Sequence, residues 1–148
     1  MGSKSHLTLL LASVVLALVG AAAVTGLLTT SRTIGSSGNV KAINVEVYWD
    51  SGCTQVVDQI DWGTLGPGDT LDKTVYVENT GNAPLSLSMS CSGWDPMEAG
   101  DYITLSWDRE GGTVSPGEVV EAVLTLSVSN SVSGVTNFSF NIVIEGTG

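Results

Sequence analysis

Residues able to do chemistry are scarce in this chain, and where they stand narrows what it does. The one histidine is His6, so the chain after it can build no Ser–His pair, no Cys–His pair and no histidine metal site. The two cysteines, Cys53 and Cys91, are spaced neither as a metal knuckle nor as a redox pair. In an oxidising compartment they are expected to join, which would contribute about 4 kcal/mol by restricting the unfolded chain. The other reading is two separate buried thiols. Carboxylates are plentiful, and two of them could stand about 5–9 Å apart as in a glycosidase. They fall on turns and outer faces, however, and no pair stands out as acid and base. Calcium is the one metal for which ligands can be named: Asp50, Asp58 and Asp61, or Asp95, Glu98 and Asp101. Their spacing is unspecific, and solvated turn residues are the simpler reading. No phosphate loop, dinucleotide glycine pattern or EF-hand spacing occurs. The expectation is a protein with no catalytic, cofactor-binding or metal-binding residues, and so not an enzyme. Asn137-Phe138-Ser139 is an acceptor sequence for N-glycosylation, with Asn137 expected to face outward.

Charge removes further classes. The formal net charge of the 148 residues is −10, and it is unevenly spread. All fifteen acids lie after Val40, where Lys41, Lys73 and Arg109 are the only cations, leaving −12 on that stretch. Such a surface repels phosphate backbones and anionic headgroups, so neither nucleic acid nor a lipid surface is an expected partner of the body. A membrane enters only through the N-terminal segment before processing.

That segment has the form of an export signal. Lys4 precedes an uncharged run from Leu7 to Leu28, and the small residues Gly20-Ala21-Ala22-Ala23 mark a cleavage site near Ala23. The run is also long enough to span a bilayer as a helix, for which about 20 residues suffice. An uncleaved anchor therefore stays open, and a pilin-like signal cut before the apolar run fits Ser5-His6-Leu7 poorly. All three place the body outside the cell.

Beyond Val40 the apolar residues alternate with polar ones, the period of half-buried strands. Ile43, Val45, Val47 and Trp49 form one such set, and Leu71, Val75 and Val77 another. Leu85 to Cys91, Ile103 to Trp107, Val120 to Val128 and Phe138 to Ile144 follow, with a less regular run from Val56 to Trp62. No helical periodicity persists over three turns. The pattern predicts a single antiparallel β-sandwich of immunoglobulin-like or jelly-roll type with about 7–8 strands, preceded by an N-terminal hydrophobic helix. Gly63-Thr64-Leu65-Gly66-Pro67-Gly68-Asp69 recurs as Gly112-Thr113-Val114-Ser115-Pro116-Gly117-Glu118. Pro then Gly at the centre of each copy predicts a type II turn, and the two are expected at one end of the sandwich.

Between signal and body lies Val24 to Ile34, rich in strand-forming Thr, Val, Ile and Leu, with Arg32 its one charge. Gly35-Ser36-Ser37-Gly38 follows and reads by composition as a flexible hinge. Residues 1–23 are thus signal or anchor, 24–39 an arm with its hinge at Gly35 and Gly38, and 40–148 the body. An N-terminal strand with no evident partner in its own chain suits an open sheet edge on the next copy. Contacts of that head-to-tail kind do not close, so they grow filaments. The alternatives are that the stretch is part helix and part stalk, or pairs within its own domain.

Ile60-Asp61-Trp62-Gly63, the Leu65-Gly66-Pro67-Gly68 turn, Val77-Glu78-Asn79-Thr80-Gly81-Asn82, Leu85-Ser86-Leu87-Ser88 and Phe138-Ser139-Phe140-Asn141-Ile142 give the chain a likeness to known fibre subunits. It resembles archaeal bundling pili and threads, and the TasA/camelysin biofilm fibre proteins. The resemblance implies donor-strand assembly into a pilus for biofilm and cell–cell contact. On that implication the donated strand is Val24, Leu27, Leu28, Thr30, Arg32 and Ile34 with their neighbours. The partners are further copies of the chain, other filaments or cell surfaces. Lys41 or Lys73 could serve isopeptide cross-links as in some surface fibres, but no motif selects a partner. The rival expectation is a monomeric sandwich held on the membrane by Leu7–Leu28 as a binding or envelope module.

Overall fold

The computed structural model describes residues 34–148; the hydrophobic segment, the cleavage site expected near Ala23 and the expected arm up to Thr33 lie outside the described residues. Nine strands follow in order: β1 Ile34–Ile43, β2 Glu46–Tyr48, β3 Gln59–Leu65, β4 Thr70–Glu78, β5 Leu85–Asp95, β6 Ile103–Trp107, β7 Thr113–Val114, β8 Val119–Val128 and β9 Asn137–Thr147. One 3-10 turn, Met97–Asp101, joins β5 to β6. They form two sheets. Sheet A has the order β3-β1-β9-β5-β7, and sheet B the order β2-β4-β8-β6.

The alternation read in the sequence is what divides each strand between core and solvent. Along β9, Phe138, Phe140, Ile142 and Ile144 are buried. Along β8, Ala122, Leu124, Leu126 and Val128 face them from the other sheet. Trp62, Ile60, Val75, Val77 and Leu87 complete the layer between the sheets. Apolar side chains stacked at this density contribute about 1.5–3 kcal/mol each relative to exposure. The body is therefore all-β and sandwich-like, as expected.

Three details differ from the expectation. One strand pair is parallel, β1 with β9, where every pair was expected antiparallel. The first alternating run is not one strand: Asn44 takes a left-handed conformation, φ 60°, and splits it into β1 and β2. Asn is among the few residues that adopt this shape cheaply, so the chain turns there from sheet A to sheet B. Finally, the two Pro-Gly turns form as expected, with Asp69 N–H bonded to Gly66 O at 3.1 Å and Glu118 N–H to Ser115 O at 3.0 Å. They stand at opposite ends of the body, though, because β4 and β8 are antiparallel and pair Thr70 with Ser127 but Glu78 with Val119.

Candidate functional site: the N-terminal strand and its slot

Gly35 and Gly38, expected in a hinge, lie inside a central strand. β1 pairs antiparallel with β3 from Ile34↔Leu65 to Asn39↔Gln59, and parallel with β9 from Gly35↔Asn137 to Ile43↔Glu145. A composition that favours flexibility in isolation is overridden here by ladders on both sides. The hinge expectation is thus corrected, and residues 34–39 belong to the body rather than to an arm. Ile34, the last residue of the expected donor strand, begins β1 and is 1% exposed. Val24, Leu27, Leu28, Thr30 and Arg32 lie outside the described residues.

The glycines answer a packing need. Ile34, Ser36 and Gly38 point inward beneath bulky neighbours. A Cβ on Gly38 would come within 3.0 Å of Ile142 Cδ1, 3.3 Å of Trp62 Nε1 and 3.4 Å of Phe140 Cζ. The slot between β3 and β9 is therefore floored by large side chains and, past Ile34, filled by the small residues Ser36 and Gly38. Filling it this way leaves a polar cost. Trp62 is fully buried and its indole N–H is the one buried side-chain donor without a partner among the described residues. Ser36 Oγ reaches only Gly63 O, at 3.3 Å, beside a bulge at Ser36/Ser37. An unpaired buried donor costs about 1–3 kcal/mol. β1 is thus central in position and thin in packing, and its only covalent tie to the rest of the described body is the two-residue link Asn44-Val45.

The remaining candidate residues are dispersed. Cys53 and Cys91 are free, a correction to the expected disulfide. Cys53 sits in a left-handed turn after β2 with Asp50 and Glu78 nearby, on the side of sheet B. Cys91 lies mid-strand in β5 of sheet A, opposite Ile142. Burial pushes both thiols up, and the Glu78 and Asp50 charges add to this at Cys53. The Asp50 carboxylate caps its own loop, accepting from Thr54 N–H, Thr54 Oγ1 and Gln55 N–H at 2.9–3.2 Å. Burial pushes this carboxyl up, but those bonds outweigh it and hold it below the usual range. No group of three or more potential metal ligands occurs among the described residues. Asn137 is exposed at the start of β9, as expected, with its side chain lying over Gly35. Two shallow grooves of about 340 and 350 Å³ are lined by Asn44, Thr80 and Asn82, and by Asp95, Pro96 and Phe138. Neither gathers an acid and a base. What sequence reasoning missed is the slot. Its signal was there in Trp62, Phe140 and Ile142, but only pairing puts Gly38 above them.

No protein-family model matches this chain, and a search of curated proteins returns no match.

Proposed function

We propose that this chain is a structural subunit of an extracellular filament, exported by its N-terminal signal, in which the N-terminal strand of one copy completes sheet A of the next. Biofilm formation and cell–cell contact are the uses such a filament serves. The body is read as an immunoglobulin-like or jelly-roll sandwich with an exchangeable first strand. The observation that carries this is the placement of β1, which is central in sheet A and tied to the rest of the described body only through Asn44-Val45. Moved into a neighbour's identical slot, β1 keeps every register partner, so exchange costs little beyond reshaping the link. The donated strand is then Ile34–Ile43, and the hinge is Asn44-Val45 instead of Gly35 and Gly38. Three Cα steps reach about 11 Å at most. Successive bodies must therefore abut, and the contact is open-ended.

The test uses the register Ser37↔Ser139. Neighbouring strands lie about 4.8 Å apart, within reach of a disulfide. A chain carrying both Ser37→Cys and Ser139→Cys, with Cys53→Ser and Cys91→Ser, is oxidised and run under denaturing, non-reducing conditions. A ladder of covalent multimers, together with filaments by negative stain, is the expected result. Internally bonded monomers alone would sink strand exchange.

A further inference from the structure

The other flank of sheet A is closed in an unusual way. β7 covers only Leu85 and Ser86 of β5. Leu87 then exchanges two backbone bonds with the turn after β6: its N–H donates to Gly112 O and its carbonyl accepts from Gly111 N–H, both at 2.8 Å. At Met89, where a neighbouring strand would offer a carbonyl, a side chain stands instead. Glu110 Oε2 accepts the Met89 N–H at 3.1 Å and the Trp107 indole N–H at 2.7 Å. Trp107 ends β6, the edge of sheet B, so one carboxylate ties the two sheet edges together. Backbone groups alternate in direction along a strand, so Cys91 presents its N–H and C=O on the same side as Met89. No strand among the described residues pairs with them there. From Leu85 to Trp94 the strand carries no charge, whereas β3 bears Asp61 and β4 bears Asp72 and Lys73.

We infer that Glu110 is a plug that keeps β5 from pairing with β5 of a second copy. A side chain that already occupies an edge donor is one way for a sheet to avoid edge-to-edge association. The occupant it excludes is a second copy because this neutral run is self-complementary. Antiparallel across a twofold axis, it places no charge opposite another, and main-chain bonds at Met89 and Cys91 supply the affinity. Such a contact is isologous and closes as a pair. It is thus distinct from the open-ended exchange of β1 and independent of it.

The full-length chain is compared with Glu110→Ala and Glu110→Gln by sedimentation velocity over a concentration series, with amide hydrogen exchange read at Met89 and Cys91. Glutamine keeps an acceptor oxygen in place and alanine does not. Glu110→Ala is expected to pair at least tenfold more tightly than wild type, and Glu110→Gln to behave as wild type. In wild type the Met89 amide is protected and the Cys91 amide exchanges fast; in Glu110→Ala both become protected as concentration rises. A folded Glu110→Ala chain that sediments as wild type, with both amides fast, overturns the proposal. Should that chain fail to fold, Glu110→Ser, which keeps a polar group in the turn but does not reach Met89, takes the same readings. Failure of all three variants to fold would make Glu110 a structural brace and overturn it as well. None of these readings depends on the Ser37–Ser139 ladder, so the two ideas fail separately.

Discussion

Cys53 and Cys91 show how little a residue's type says before its surroundings are known. Two cysteines in a chain expected to be exported point to a bond, yet one belongs to a turn after a strand of sheet B and the other to the middle of a strand in sheet A. Burial raises both thiols, and at Cys53 the neighbouring carboxylates work in the same direction. A raised pKa lowers the thiolate fraction at any given pH, and the thiolate is the reacting species. Both should therefore alkylate more slowly at pH 8 than a free cysteine peptide, by mass spectrometry of iodoacetamide-treated folded chain. Unfolding in denaturant should restore the ordinary rate at both. Rates matching the free peptide in the folded state would contradict the burial described for them.

At the level of elements, the repeated Pro-Gly turns offer an internal comparison. Gly68 and Gly117 have φ of 81° and 74°, where a side chain costs about 1–2 kcal/mol. Each turn is braced the same way: Gly66 N–H donates to the Asp69 carboxylate, and Ser115 N–H to that of Glu118, both at 2.7 Å. Their surroundings differ. A Cβ at Gly117 meets open space, whereas at Gly68 it meets the Asn130 side chain. Gly117→Ala should thus lose about 1–2 kcal/mol, the backbone cost alone, and Gly68→Ala more, with the difference removed when Asn130→Ala is added. Denaturant unfolding of the three variants checks this; equal losses at both glycines would show that Asn130 yields freely.

For the molecule as a whole, charge would set the conditions of the assembly proposed above. The stretch after Val40 carries −12, so copies repel one another at long range whichever contact joins them. Screening shortens that range from about 30 Å at 0.01 M salt to about 8 Å at 0.15 M. Filaments of the proposed kind should accordingly elongate faster at 0.15 M than at 0.01 M sodium chloride, with the change followed by light scattering. A rate that falls with salt would mean that an attractive ion pair, and not a strand, dominates the contact.

Alternation along β4, β5, β6, β8 and β9 was legible from residue types, because a two-residue period of apolar side chains has one way to be buried. The Pro-Gly turns were legible for a similar reason, since local φ requirements select their residues. The place of β1 was not. Gly35-Ser36-Ser37-Gly38 carries no apolar period, and its strand form comes wholly from ladders with residues 59–65 and 137–145. Partners distant in the chain also separated the cysteines, placed the two turns at opposite ends, and brought the Glu110 carboxylate to the Met89 amide. By itself the sequence determined an acidic all-β body without a histidine, the one histidine, His6, standing ahead of it. Tertiary pairing alone decided which strand is central and which edge stays open, because those depend on register between segments whose composition does not name each other.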